Sequence, residues 1–127
     1  MLDVNPEIIC YLAEKAREFH TKEGVIIPDD TPGSSGDIAS DMLAGHSDDP
    51  TYQEFKIAVE DLEPDQQVTV VALMWVGRGD FDAEDWKAAL DEAGDRWTQH
   101  TAEYLISTPL LADYLEEGLS AFGYSCN

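Results

Sequence analysis

His100 and Glu103 are the residues of this chain whose types and spacing best suit metal chemistry. A separation of three residues places both side chains on one face of a helix. Helical di-iron proteins use this spacing in the order Glu-x-x-His, on two helices and with further Glu ligands. Here the order is reversed and the pattern occurs once. A charged pair on a polar helix therefore explains these residues more simply than a metal site does.

Carboxylates around residue 82 suggest a second cation chemistry, the binding of calcium. Asp80, Asp82 and Glu84 fall at positions 1, 3 and 5 of an EF-hand-like loop. Such a loop needs glycine at position 6 and glutamate at position 12, where this chain has Asp85 and Asp91. The loop is incomplete, and we predict neither a bound metal nor another cofactor.

The cysteines and the glycine-serine segment match no catalytic pattern. Cys10 and Cys126 lie near opposite ends of the sequence and fit no metal or redox spacing. The N-terminal residues contain no basic segment followed by an apolar one, so we expect a cytoplasmic chain with reduced thiols. Residues 33–36 read GSSG, without the lysine of a phosphate-binding loop. We predict no catalytic residue.

A glycine-rich turn, here named the corner, joins an apolar segment to an acidic one. It contains Gly77, Arg78, Gly79, Asp80, Phe81, Asp82 and Trp86. Gly77 and Gly79 suit the left-handed backbone that ends many helices. Arg78 is expected to pair with a carboxylate or with the last carbonyls of the preceding helix. The corner is therefore predicted to be structural.

The segment after the corner begins with a complete helix start signal. Asp82 is a good N-cap because its carboxylate can accept from free backbone N–H groups. Phe81 and Trp86 have the spacing of a hydrophobic staple and are expected to pack on each other. One continuous helix is predicted from Ala83 to about Ile106. Its apolar stripe comprises Trp86, Leu90, Ala93, Trp97, Thr101 and Tyr104.

The remaining helices are marked by prolines at their starts. These starts are Asn5-Pro6, Asp49-Pro50, Pro64 and Thr108-Pro109. Residues 68–71 read VTVV and alone would suggest a strand, but the proline start and the following ALMW favour a buried helix. Residues 21–49 are predicted to be an irregular loop region, with a short helix at 37–44. The expectation is one compact all-α domain, residues 1–127, of five to six helices.

The charge balance restricts the classes of partner. The 127 residues include 27 acidic and 7 basic side chains, for a net charge of −20. Direct binding to nucleic-acid phosphates or anionic lipid is disfavoured because both require a basic surface. No stretch of about 18 apolar residues is present to span a membrane. A solvated acidic surface is the simplest interpretation of the charge.

Two blocks of the sequence resemble an uncharacterised bacterial family, domain of unknown function 3775. They are ALMWVGRGDFDAEDW at residues 72–86 and HTAEYLISTPLLADYLEEGLSAFGYSC at residues 100–126. The starts at Asn5-Pro6 and at residues 49–52 are also similar, whereas residues 21–48 are the least similar part. The resemblance implies a helical, soluble bacterial protein, and it implies no functional residues.

Three hypotheses of function follow. The leading one is a non-enzymatic helical protein that acts through protein–protein interaction or self-association, since large apolar residues are many and no catalytic set is assembled. The second is an acidic binding module for a basic partner. Such a module would mimic nucleic acid if its carboxylates formed one face. The third is a metal-dependent enzyme that uses His100 and nearby carboxylates.

Overall fold

The computed structural model describes residues 4–21 and 49–126, which form six α-helices and one 3₁₀ turn. The helices are α1 Pro6–His20, α2 Pro50–Glu60, α3 Pro64–Arg78, α4 Trp86–Asp95, α5 Thr101–Ile106 and α6 Leu111–Ala121, and the 3₁₀ turn is Ala83–Asp85. These two stretches contain no strand, which confirms the all-α class. Apart from its end residues Thr21 and Asp49, the predicted irregular region with its short helix lies outside the described residues.

Side-chain caps and prolines start the first two helices as predicted. Asn5 Oδ1 accepts a hydrogen bond from the backbone N–H of Glu7 at 2.9 Å. Asp49 Oδ1 accepts from Thr51 and Tyr52 at 2.8 and 3.1 Å. In both helices a proline occupies the first turn, where no N–H is required.

The central element is α3, whose residues are buried almost continuously from Gln67 to Val76. A helix that is apolar on all sides must be covered on all sides. It packs against α6 and α4, while α1 packs against both α6 and α2, and α5 packs against α2. The buried helix predicted in place of a VTVV strand is confirmed.

The single helix predicted from Ala83 to Ile106 is wrong. The chain forms the 3₁₀ turn and α4, leaves helical geometry at Arg96, and resumes as α5 at Thr101. Thr98 stabilises the break, because its Oγ1 accepts from the backbone N–H of His100 at 3.1 Å and its carbonyl accepts from Thr101 Oγ1 at 2.7 Å. These local hydrogen bonds replace helical ones.

The last helix begins later than the predicted Thr108-Pro109 start. Leu110, with φ of 62°, precedes the first helical residue, Leu111. Thr108 instead completes the end of α5, because its Oγ1 donates to the carbonyl of Tyr104 at 3.1 Å. The predicted end of α6 is confirmed, since Gly123 has φ of 87°.

The two cysteines form a disulfide, so the prediction of reduced thiols is wrong. Cys10 on α1 and Cys126 beyond α6 have Cα atoms 5.5 Å apart although 116 positions separate them in sequence. The packing of α1 against α6 creates this proximity. A sequence spacing contains no information about that packing.

No helix in the described stretches is both long enough and apolar enough to cross a membrane.

Candidate functional site

His100 and Glu103, the predicted metal pair, lie where α5 packs against α2. Glu103 is buried, with 7% of its surface exposed, and His100 is the residue before α5. His100 Nδ1 lies 3.5 Å from Glu103 Oε2. Lys56 of α2 reaches the same carboxylate oxygen, with Nζ at 4.0 Å. We name Lys56, His100 and Glu103 the seam cluster.

The second carboxylate oxygen of Glu103 is enclosed by protein. This atom, Oε1, has no hydrogen-bond partner among residues 4–21 and 49–126. Leaving a buried acceptor unpaired costs about 1–3 kcal/mol, and more for a charged group. Burial raises the pKa of the nearby Tyr52 phenol above its usual range, and the carboxylates of Glu103 and Glu60 raise it further. The seam therefore buries a carboxyl group whose hydrogen-bonding capacity is only partly used.

The seam cluster does not amount to a set of metal ligands. It offers one imidazole and one carboxylate, and the ammonium of Lys56 lies beside the carboxylate that a cation would need. Within residues 4–21 and 49–126, no group of three or more His, Cys, Asp or Glu side chains is close enough to share a metal ion. The arrangement that the structure does show is an ion pair across two helices.

A backbone hydrogen bond and a side-chain ion pair stabilise the corner. Gly79 has φ of 97°, the left-handed conformation that was predicted, and its N–H donates to the carbonyl of Trp75 at 3.1 Å. Arg78 Nη2 pairs with Asp80 Oδ2 at 2.6 Å. The prediction for Gly77 is wrong, because this residue lies inside α3. A Cβ at Gly77 would overlap the backbone carbonyl of Tyr114 in α6.

The aromatic residues of the corner have other partners than those predicted. Phe81 stacks on Trp75, with ring centroids 5.9 Å apart, and Trp86 meets Phe122 edge to face at 4.9 Å. They therefore anchor the corner to α3 and to the end of α6 instead of forming a staple. Asp82 precedes the 3₁₀ turn in extended geometry, but its side chain makes no capping hydrogen bond.

A third region lies where α2 meets α3, at the opposite end of α3 from the corner. The side-chain amide of Gln67 is buried there, and its Nε2 donates to the carbonyls of Val59 and Leu62 at 3.0 and 3.1 Å. Its Oε1 accepts from the indole N–H of Trp97 at 2.8 Å. The amide thereby fixes Trp97, which is 39% exposed, next to the α2–α3 junction.

Four exposed carboxylates belong to the same end of the molecule, and none forms an ion pair with a described basic side chain. They are Glu60, Asp61, Glu63 and Asp65. We name these four residues together with Trp97 the acidic junction. No lysine or arginine occurs between Lys56 and Arg78 in the sequence. Arg96 precedes Trp97 in the sequence, and its Nε donates to Glu92 at 2.7 Å.

The basic side chains of the described part of the chain are all paired within the molecule. The pairs are Lys15–Glu54, Arg17–Asp113, Lys56–Glu103, Arg78–Asp80, Lys87–Asp91 and Arg96–Glu92. The excess carboxylates therefore remain without a neutralising partner in these regions. Carboxylates that cluster without a neighbouring cation, as at the acidic junction, reinforce one another's negative potential.

Sequence reasoning missed the roles of Trp97 and Gln67. The helical pattern predicts Trp97 in the apolar stripe of a long helix, and it predicts no role for Gln67. One signal was available, because residues 94–100, GDRWTQH, contain poor helix formers and no aliphatic residue. The pairing of Trp97 with Gln67 spans 30 positions and leaves no local signature.

In a comparison with known protein families, residues 52–124 match one family, described as Protein of unknown function (DUF3775). This range includes the corner, the seam cluster and the acidic junction. No curated protein and no solved structure matched the chain.

Proposed function

We propose that this chain, which belongs to the DUF3775 family, is a binding domain whose partner is a basic protein segment. The observation that carries the proposal is the acidic junction, where an exposed indole is hydrogen-bonded to the buried Gln67 beside four exposed carboxylates that form no ion pair with a described basic side chain. A lysine or arginine can lie on the face of a tryptophan and pair with a neighbouring carboxylate at the same time. The proposed role is recognition without catalysis.

Rigidity of the indole supports this assignment. Gln67 uses its amide to hold Trp97 and the carbonyls of Val59 and Leu62 together, so the ring loses little freedom when a partner binds. Tryptophan is also among the residues that most often dominate binding energy at interfaces.

Charge sets the class of partner. Carboxylates attract a basic segment and speed its association, an effect that falls as salt rises. The same carboxylates repel nucleic-acid phosphates and anionic lipid, so the proposal includes neither as a direct partner. The proposed compartment is the cytoplasm, and fractionation of cells that produce the native chain would test it.

The test is titration of the protein with an arginine-rich peptide, followed by calorimetry at several salt concentrations. The double variant Glu60→Gln/Asp65→Asn removes two charges from the acidic junction. The matched control, Glu84→Gln/Asp85→Asn, removes two exposed charges beside the corner. We expect the junction variant to weaken binding about tenfold and the control less than about twofold, because nearby charges dominate in screened solution.

Two results would contradict this proposal. Equal weakening by both double variants would mean that the peptide responds to net charge alone. Unchanged affinity in Trp97→Ala would remove the indole from the site, since loss of a cation–π contact should cost about 0.5–2 kcal/mol. Trp97→Phe keeps an aromatic face and should bind more tightly than Trp97→Ala.

Self-association is a second proposed function, favoured by apolar side chains exposed on α1 and α2. Ile8, Tyr11 and Ile57 are 36%, 39% and 55% exposed on these two neighbouring helices. Repulsion between chains of charge −20 opposes such contact at low salt. Sedimentation at low and high salt would test it. A monomer throughout the concentration range at high salt would contradict self-association.

A further inference from the structure

The Cys10–Cys126 disulfide connects the middle of α1 to the C-terminal tail, which we define as residues 123–126. Cys126 is exposed, whereas Cys10 is half-buried on α1. A thiolate from solution can therefore reach the Cys126 sulfur more readily than the Cys10 sulfur. Access of this kind separates labile disulfides from enclosed structural ones.

Little besides the disulfide holds the end of the tail. The backbone N–H of Tyr124 donates to the carbonyl of Leu119 at 2.9 Å and completes the end of α6. Beyond it, neither Ser125 nor Cys126 makes a hydrogen bond to any part of the chain that the structure describes. Cleavage of the disulfide would thus remove the one strong restraint on these residues.

The contact between α1 and α6 has independent support at its other end. Arg17 of α1 donates to Asp113 and Glu116 of α6 at 3.0 and 3.1 Å. Both helices also contribute fully buried side chains to the core, among them Leu12 and Leu115. None of these interactions includes a cysteine, so we expect them to persist when the disulfide is reduced and the consequence of reduction to be local.

We propose that the Cys10–Cys126 bond is a thiol–disulfide switch that releases the C-terminal tail on reduction and leaves the helical bundle folded. The co-reactant is a cellular dithiol. Its thiolate attacks the Cys126 sulfur, the bond between Cys126 and Cys10 breaks, and Cys10 leaves as a thiolate that takes up a proton. The second thiol of the reductant then displaces Cys126, so that two cysteine thiols and one oxidised dithiol result.

A switch would explain why a disulfide occurs in the proposed cytoplasmic compartment. Disulfides in that compartment are usually transient and serve catalysis or redox sensing. The released segment carries Tyr124, whose ring packs against the core in the oxidised form. Reduction would leave this ring held only by its packing and by the Tyr124 N–H bond, so that it would leave the core more often and uncover the apolar surface beneath it. The switch stands independently of the peptide binding proposed at the acidic junction.

The experiment compares amide hydrogen exchange in the oxidised protein with that in protein treated with dithiothreitol. Alkylation of free thiols and intact-mass measurement establish the redox state of each sample. We expect the hydrogen-bonded amides of Gly123 and Tyr124 to exchange about tenfold faster on reduction, with exchange in α3 unchanged within about twofold. Cys126→Ser should show the fast tail under both conditions. Ser125→Ala keeps the disulfide and should behave like the unmodified chain.

Three results would overturn the switch. Faster exchange throughout α1, α3 and α6 on reduction would show that the bond maintains the whole fold. Unchanged exchange in the tail of fully reduced protein would show that packing alone holds it. Failure of dithiothreitol to reduce the bond without denaturant would show that the sulfurs are inaccessible. If Cys126→Ser does not fold, the reduced unmodified chain still decides among these outcomes.

Discussion

The α3–α6 interface and the α2–α5 seam are built on opposite principles. At the α3–α6 interface, glycines occupy positions where there is no room for a side chain. A Cβ on Gly118 would lie 2.8 Å from Leu73 Cγ. The backbones thereby approach closely, and the surroundings are apolar. At the second, the buried Glu103 keeps a carboxylate oxygen without a partner. Close packing of the backbones therefore sets the distance between α3 and α6. At the seam between α2 and α5, a carboxylate is buried that close packing does not require.

The largest expected effect is a loss of stability when a single methyl group is added at the α3–α6 interface. Gly77→Ala should lower the free energy of unfolding by about 3 kcal/mol, because its Cβ would overlap the Tyr114 carbonyl and force the helices apart. Thermal and urea denaturation would measure the loss. Gly94→Ala is the matched control, since nothing lies within 4 Å of a Cβ there. It should raise stability by about 0.5–1 kcal/mol.

The contradicting result would be similar stability of Gly77→Ala and Gly94→Ala. The two helices would then tolerate a wider separation, and glycine at position 77 would have no role in their distance.

A smaller loss is expected where α3 ends at the corner. Gly79→Val should cost about 1–3 kcal/mol because a β-branched residue is strained at φ of 97°. Asn tolerates this region better, so Gly79→Asn should cost less than about 1 kcal/mol. Since a Cβ at Gly79 meets nothing within 4 Å, any loss reports backbone conformation alone. Equal stability of both variants in urea denaturation would refute backbone strain as the cause.

At the α2–α5 seam, replacing the charge should increase stability. Glu103→Met should raise the free energy of unfolding by about 1 kcal/mol, because an apolar side chain of similar size replaces a buried carboxylate with one unpaired oxygen. Lys56 is partly exposed and can be solvated when its partner is lost. Glu92→Met removes an exposed pair with Arg96 and should change stability by less than about 0.5 kcal/mol.

A loss of stability in Glu103→Met would reverse the conclusion for the seam. It would mean that the contacts of Glu103 with Lys56 and His100 outweigh the cost of burying the carboxylate.

The smallest effect concerns pH at the end of α1 beside α5. Burial lowers the pKa of His20 from its ordinary value of 6.5, while its Nε2–H donates to the carbonyl of Ile106 at 2.7 Å. The fold thus favours neutral His20. Its contribution to stability is complete above the unfolded pKa and declines as pH falls through 6.5 towards the lowered folded value.

His20→Gln keeps an N–H donor and removes the titration. Urea denaturation between about pH 8 and about pH 5 should show a shallower loss of stability in His20→Gln than in the unmodified chain. Identical pH profiles would mean that carboxylates alone cause the acid sensitivity.

Local chemistry made much of the fold predictable. Asn5, Asp49 and Pro64 mark helix starts because capping and the fixed φ of proline act within a few residues. Gly79 ends α3 for the same kind of reason. The break between α4 and α5 was not predictable from the apolar stripe, since Thr98 and the bond from Trp97 to Gln67 override an unbroken helical period.

The candidate sites were predictable only in part. The spacing of His100 and Glu103 brought them together on one helix, but the approach of Lys56 comes from another helix. The acidic junction depends on the position of Trp97, which was assigned to the core. Sequence composition indicated an excess of carboxylates without showing where cations would leave them unpaired.

By itself, the sequence determined the all-α class, the starts of the first three helices and the strongly negative charge, because these depend on composition and on interactions within about one helical turn. Only the tertiary structure decided the glycine contact between α3 and α6, the burial of Glu103, the exposure of Trp97 and the Cys10–Cys126 bond. Each of these features depends on residues that lie on different helices or far apart in the sequence. Their proximity arises when the apolar faces of the helices pack together, and no local pattern encodes that arrangement.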